Sequence, residues 1–215
     1  MYILDLCCGT QSLKDKITSY GYNYIGLDIN KITDGKKPDI NVDIKKWEYE
    51  KYFLENGFPK FIWFSPPCRE YSILNNARPN KICDIEGSNE IVKKGIEIIK
   101  YCKCAYVIEN PQTSKLKLQS FMSFPFTDLD YCAYGFPYKK RTRLWNNINL
   151  IGKKCRKKDC PFKNNGRHLY SIGNSSYNTN VREFNKKLSR LGQRYSIPTP
   201  LINEILSKVI SSINT

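Results

Sequence analysis

The chain has 215 residues, 40% hydrophobic and 13% aromatic, a composition that suits one compact domain with a small appendage and excludes wholesale disorder. Its 35 Lys and Arg against 20 Asp and Glu leave a net charge of +15, which favours a polyanionic partner, though AT-rich coding would also enrich Lys. No apolar run reaches the roughly 18 residues of a membrane span, so no membrane partner is expected.

In chain order, Tyr2 to Cys7 reads as a buried strand closed by a turn at Gly9, and Ser12 to Ser19 as a helix. Tyr22 to Asp28 and Asp39 to Ile44 read as the second and third strands, followed by a helix over Trp47 to Asn56. Phe61 to Phe64 is an unbroken apolar run closed by Pro66-Pro67 and predicts a fourth strand. Gly87 to Tyr101 has helical spacing, and Ala105 to Ile108 is a fifth strand. This alternation predicts an α/β fold: a Rossmann-like, mostly parallel sheet with helices on both faces. After a strand ending at Trp145, the segment 151–181 is polar and basic and reads as a small loop-rich insert. Arg182 to Leu191 and Pro198 to Ile210 read as helices returning to the main domain. The expected organisation is therefore a catalytic domain over 1–150, an insert over 151–181 and C-terminal helices over 182–215.

Ligands of open parallel sheets bind beyond the carboxyl ends of the strands. The first strand ends Asp5-Leu6-Cys7-Cys8-Gly9-Thr10, where a glycine turn lets backbone approach a ligand. Asp28, followed by Ile29, stands about twenty positions on, where a ribose hydroxyl is gripped. Asp43-Ile44 can flank an adenine ring. Together these imply an adenosine-bearing cofactor, and the missing G-x-G-x-x-G argues against NAD. Each also has a plain structural reading as a turn or cap. The fourth strand ends Ser65-Pro66-Pro67-Cys68: two prolines fix the backbone and present a thiol, a good nucleophile once ionised. The fifth ends Glu109-Asn110-Pro111, and a Glu there can exchange a proton with a substrate. In Lys139-Lys140-Arg141-Thr142-Arg143, a strand would turn Arg141 and Arg143 to one face, to hold a base, a phosphate or Glu109.

In this order the motifs resemble those of the cytosine-C5 DNA methyltransferase family. Asp5 to Gly9 is similar to its cofactor turn, Asp28 to its acidic ribose contact and Asp43-Ile44 to its third cofactor motif. Pro66-Pro67-Cys68 resembles the nucleophile loop, Glu109-Asn110-Pro111 its E-N-V, and Lys139 to Arg143 its Q-x-R-x-R strand. Arg194 to Leu201 matches the last motif loosely. Cys7 stands where an aromatic is usual, Gln11 replaces the second glycine of the turn, and the insert is far shorter than the family's recognition domains.

The resemblance implies S-adenosyl-L-methionine as cofactor, converted to S-adenosyl-L-homocysteine. Asp5, Cys7, Gly9, Thr10, Asp28, Ile29, Asp43, Ile44 and Pro66 are the expected contacts. It implies Cys68 as the nucleophile that adds to C6 of a flipped-out cytosine. Glu109 would steady N3 and the amino group, Arg143 the O2 side, and Arg141 would support Glu109 or the backbone. DNA is the expected substrate. RNA on the same scaffold, or an inactive nucleic-acid-binding relative, are the alternatives, and a protein partner supplying sequence specificity stays open.

The insert carries the densest basic cluster, Lys153, Lys154, Arg156, Lys157 and Lys158. With Arg167, Lys163, Lys139, Lys140 and the strand arginines, it is expected to face phosphates. Cys155, Cys160 and His168 invite a zinc site, with Cys132 a conceivable fourth ligand. Their spacing is not C-x-x-C, so ordinary free thiols are the simpler expectation and no metal is assigned. Nine cysteines without a disulfide framework, behind a start (Met1-Tyr2-Ile3-Leu4-Asp5) lacking a basic n-region, suggest a cytoplasmic or other reducing intracellular compartment. The AT-biased composition suits a phage- or virus-encoded gene.

Overall fold

The computed structural model describes residues 2–29, 37–73, 75, 80, 82–164, 167, 168 and 190–213. Its main sheet contains β1 (Tyr2–Leu6), β2 (Asn23–Asp28), β3 (Ile40–Asn41), β4 (Phe61–Phe64), β5 (Ala105–Pro111), β6 (Phe126–Asp130) and β7 (Arg141–Asn146). The strand order is β3-β2-β1-β4-β5-β7-β6. Neighbours from β3 to β5 pair in parallel, whereas β7 runs antiparallel to both β5 and β6. This is the expected Rossmann-like, mostly parallel sheet.

Continuous apolar strands are needed because both faces are covered. All four residues of β4 are buried, and alternation divides them between two cores. Ile62 and Phe64 face the layer of α2 (Tyr49–Asn56) and α3 (Ile85–Cys102). Phe61 and Trp63 face the layer of α1 (Lys14–Ser19) and the C-terminal helix at Thr199–Ile213. In α3, a Cβ at Gly95 would lie 2.2 Å from the Phe64 ring, so glycine is what lets this helix seat against the end of β4. The Ser65-Pro66-Pro67-Cys68 segment begins one residue beyond that contact.

Two elements differ from the sequence reading. The third strand is only two residues, because the Asp43 carboxylate accepts from Lys45 N–H and turns the chain into a 3-10 segment at Ile44–Lys46. The edge strand β6 went unread, since Phe-Thr-Asp-Leu-Asp carries too little apolar character to declare itself. Part of the insert forms a short antiparallel ribbon of β8 (Lys163–Asn164) and β9 (Arg167–His168). The expected helix over Arg182 to Leu191 falls outside the described residues as far as 189. From there α4 (Arg190–Tyr195) and α5 (Thr199–Ile213) follow, and Tyr138 Oη donates to the Gln193 carbonyl to anchor α4. Among the described residues, no helix is long and apolar enough to cross a membrane.

Candidate active site

The carboxyl ends of β1, β2, β4 and β5 line one edge of the sheet, and the turn after β1 is wound tightly there. Cys7, Gly9 and Gln11 have φ of 57°, 48° and 52°. Glycine adopts this region at the least cost, and Cys7 and Gln11 hold it here as Lys103, Asn149 and Lys157 do elsewhere in the chain. Gln11 holds a glycine's conformation, and its Nε2 donates to the Lys37 carbonyl at 2.7 Å. The turn is tied to β2 by Gly9 N–H donating to Asp28 Oδ2 at 3.0 Å. Thr10 is buried, with its hydroxyl 2.8 Å from that of Ser12.

Asp5 lies under this turn, 1% exposed. Its Oδ2 accepts from the Tyr24 hydroxyl at 2.7 Å, and its Oδ1 has no hydrogen-bond partner. Burial pushes this carboxyl up to about 8, against the Tyr24 hydrogen bond and with a further push from Asp28. Burial, then the carboxylates of Asp28, Asp5 and Asp43, push the Cys7 thiol up as well. Three acidic side chains thus surround one turn, of which Asp5 is the buried one beneath it. Ile29 is 58% exposed beside them, an apolar surface open to a flat ring. Ile44, in contrast, is a core residue, and Asp43 serves as the cap of its 3-10 turn.

A protonated Asp5 in the folded protein makes stability fall as pH rises. The unfolded chain releases this proton near pH 3.9, whereas the folded chain holds it to about 8. The wild type should therefore lose melting temperature relative to Asp5→Asn between pH 5 and pH 8. Parallel melting curves across that range would show that Asp5 ionises freely in the fold.

Beyond β4, Pro66 is buried and Cys68 half-buried. The loop is held from β5, where Asn110 Nδ2 donates to the Pro66 carbonyl at 3.0 Å. Trp63 Nε1 donates to Ser65 Oγ at 2.7 Å on its other side. Asn110 is wholly buried, and the sequence pattern that names it beside Glu109 gave it no role of its own. Glu109 Oε1 and Asn110 Oδ1, like Asp5 Oδ1, are buried without a hydrogen-bond partner. Such orphans are costly, and three at the ligand-facing ends of two strands mark groups awaiting one.

The arginines depart from expectation. Glu109 pairs across the ladder with Leu144, and Asn110 with Arg143. Side chains directly opposite share a face, so Arg141 and Arg143 lie on the face away from Glu109. The Arg143 fork closes on Asp128, with Nε to Oδ1 at 2.7 Å and a terminal nitrogen to Oδ2 at 2.9 Å. Its guanidinium also sits 3.6 Å from the centre of the Phe126 ring. Burial opposes ionisation of Asp128, but Arg143 and then Lys154 hold its carboxyl below the ordinary range. Arg143 therefore braces β6 to β7. The cation at Glu109 is Lys140, whose Nζ lies 3.4 Å from Oε1, within ion-pair range but off hydrogen-bond geometry. By alternation Lys140 shares the Glu109 face, so Lys140 and not Arg141 is the cation beside Glu109.

Arg141 opens instead onto a cavity of about 240 Å³, shared with Gln112, Asp128, Asp130, Lys139 and Lys154. Lys139 reaches Asp130 at 3.7 Å, and Lys153 reaches Glu204 of α5 at 3.0 Å, so Lys153 ties the insert to the main domain. Lys154, Arg156, Lys157, Lys158 and Arg167 are exposed.

No family model matches the chain. It is 30% identical over 224 residues to the "Probable DNA (cytosine-5)-methyltransferase" of Frog virus 3 (isolate Goorha), covering 96% of this chain and 99% of that one. Among solved structures it is similar to the S. pombe Dnmt2 methyltransferase at 12% identity and TM-score 0.44, over 80% of this chain. A triple mutant of Spodoptera frugiperda DNMT2 matches at 16% identity and TM-score 0.47, over 73% of this chain. The chain spans 58% and 55% of the length of those two proteins.

Proposed function

The chain belongs to the cytosine-C5 DNA methyltransferase family, and from that premise we propose how its residues carry out methyl transfer to cytosine C5 in nucleic acid. S-adenosyl-L-methionine supplies, when bound, an electrophilic methyl group and leaves as S-adenosyl-L-homocysteine. The strand ends fit it: Asp28 and Asp43 offer carboxylates to its cationic and hydroxyl groups, Asp5 supports the turn from beneath, and Ile29 offers a surface for adenine. Cys7, Gly9 and Thr10 would hold it at the turn after β1, with Ile44 and Pro66 completing the site.

The observation that carries this reading is a Pro-Pro-Cys loop held from β5 by Asn110, next in the chain to Glu109, whose buried Oε1 makes no hydrogen bond and faces Lys140. The Cys68 thiolate adds to C6 of the base, and the C5–C6 π pair moves to C5, which attacks the methyl group. As negative charge spreads into the ring, Glu109 takes the N3 and amino edge, with Lys140 supplying the balancing positive charge. Loss of the C5 proton then restores the double bond and expels Cys68. A base in a duplex must first leave the stack. Arg141, Lys139, Lys154, Arg156, Lys157, Lys158 and Arg167 are suited to phosphates, at strengths that fall with salt. Arg143 is not assigned a base contact.

DNA is the proposed substrate, in keeping with the viral relative. The test is nucleoside mass spectrometry after incubating the protein with S-adenosyl-L-methionine and DNA or RNA, with Cys68→Ala alongside. New 5-methylcytosine in DNA that depends on Cys68 supports the assignment. Product in RNA alone moves the substrate to RNA. No product on either polymer, despite cofactor binding, overturns it in favour of an inactive relative.

A further inference from the structure

We propose that Cys132, Cys155, Cys160 and His168 form a structural zinc site that staples the basic insert to the catalytic domain. The four ligand atoms all lie within 4.8 Å of one another. His168 Nε2 is 3.6 Å from Cys155 Sγ and 3.5 Å from Cys160 Sγ. A tetrahedral zinc with Zn–S of about 2.3 Å and Zn–N of about 2.0–2.1 Å has S···N edges of about 3.6 Å. The spacing therefore matches that of ligands around one ion. None of the three cysteines is in a disulfide.

The ligands come from separate pieces of chain, which is why their sequence spacing looked wrong. Cys132 lies in the 3-10 segment Tyr131–Tyr134, packed in the main core. Cys155 and Cys160 flank a second 3-10 segment at Lys157–Asp159, and His168 ends β9. Cys132 and Cys160 are buried, and Cys155 and His168 half-buried. Four protein ligands in a closed setting leave no open position for a reacting water, so the ion is structural rather than catalytic.

The surroundings need such a staple. A ribbon of two residues per strand does not hold itself together in water. Among the described residues, the polar ties to the domain enter at Lys153 and Cys155: Lys153 N–H donates to Tyr134 Oη at 3.1 Å and its Nζ reaches Glu204 at 3.0 Å, Cys155 N–H donates to Asp130 Oδ2 at 2.9 Å, and Asp130 N–H to the Lys153 carbonyl at 3.0 Å. The ligand set also suits its charge. Binding releases the three thiol protons, and Zn²⁺ with three thiolates and a neutral imidazole leaves one net negative charge. Lys153, Lys154, Arg156, Lys157 and Lys158 all lie on the chain carrying Cys155 and Cys160, and offset it. The ion would thereby fix Arg156, Lys157, Lys158 and Arg167 against the catalytic domain. The site stands whether or not the chain methylates cytosine.

The test is elemental analysis and native mass spectrometry of the full chain purified with zinc present and without chelators. We expect about one zinc per chain, the stoichiometry of a single four-ligand site. Cys160→Ala and Cys132→Ser should lose it, while Cys83→Ser and Cys104→Ser keep it. His168→Cys, which restores a four-ligand set, should retain the metal and so separates ligand loss from misfolding. Cobalt substitution of the wild type should give the strong visible bands of tetrahedral thiolate coordination. A folded wild type without stoichiometric zinc overturns the site, as does equal metal loss in the Cys83→Ser control. A Cys155–Cys160 disulfide in freshly reduced, zinc-supplied protein would overturn it too.

Discussion

Cys68→Ala is expected to reduce methyl transfer to background while leaving S-adenosyl-L-methionine affinity within about twofold, because a half-buried side chain outside the adenosine pocket is removed. The loop holding it depends on main-chain and neighbouring groups, namely the Pro66 carbonyl gripped by Asn110 and Ser65 Oγ bonded to Trp63. None of these changes in the variant, so the fold and the strand-end turns should persist. Without a thiolate, nothing adds to C6, and C5 of cytosine stays too poor in electrons to attack. The same logic predicts a trap. With fluorine at C5 no proton can leave after transfer, elimination stalls, and the wild type should stay bonded to the base through Cys68. Denaturing mass spectrometry would detect that adduct in the wild type and not in Cys68→Ala. A variant that still transfers methyl groups, or a folded one that no longer binds cofactor, would remove Cys68 from the role assigned to it.

What the sequence disclosed depended on whether the signal was local. Phe61 to Phe64 followed by Ser-Pro-Pro-Cys is a strand and a rigid turn in eight consecutive residues, so both the strand and a candidate nucleophile were readable. Asp5 to Thr10 was readable for the same reason, although the φ values of Cys7 and Gln11 were not, since they follow from tertiary wrapping over β2. Features that depend on pairing were hidden. Arg141 and Arg143 do share a face, but which face required the register of β7 on β5, and that register gave Glu109 to Lys140 instead. The Asp128 partner of Arg143 sits on β6, an edge strand without an apolar pattern. Cys132 is far in sequence from the cysteines it joins, so three ligands were visible and the fourth only a conjecture.

Glu109→Gln is the second variant with a large expected effect, a fall in kcat of about 10²–10⁴-fold, the usual range for losing a positioned acid or base. Glutamine keeps the shape of the side chain, so the loss should fall on chemistry rather than on folding. It also leaves Lys140 without its counter-charge in a half-covered setting where its ammonium lies over the Tyr131 ring. If Lys140 acts by balancing Glu109, then Lys140→Gln alone should lower kcat by less than Glu109→Gln. In the Glu109→Gln background it should then cost almost nothing further, because the pair has already been broken. That non-additivity is what a double-mutant cycle measures for groups that act as a unit. Losses that simply multiply would mean Lys140 contacts the substrate independently, for instance at a phosphate. Turnover near wild type in Glu109→Gln would leave its buried oxygen without a catalytic explanation, and the base edge would need another partner on that face. The Arg143→Lys variant sharpens the contrast. Arg143 is locked to Asp128 on the opposite face, so losing its fork should lower the melting temperature and loosen β6 while sparing kcat in the protein that remains folded.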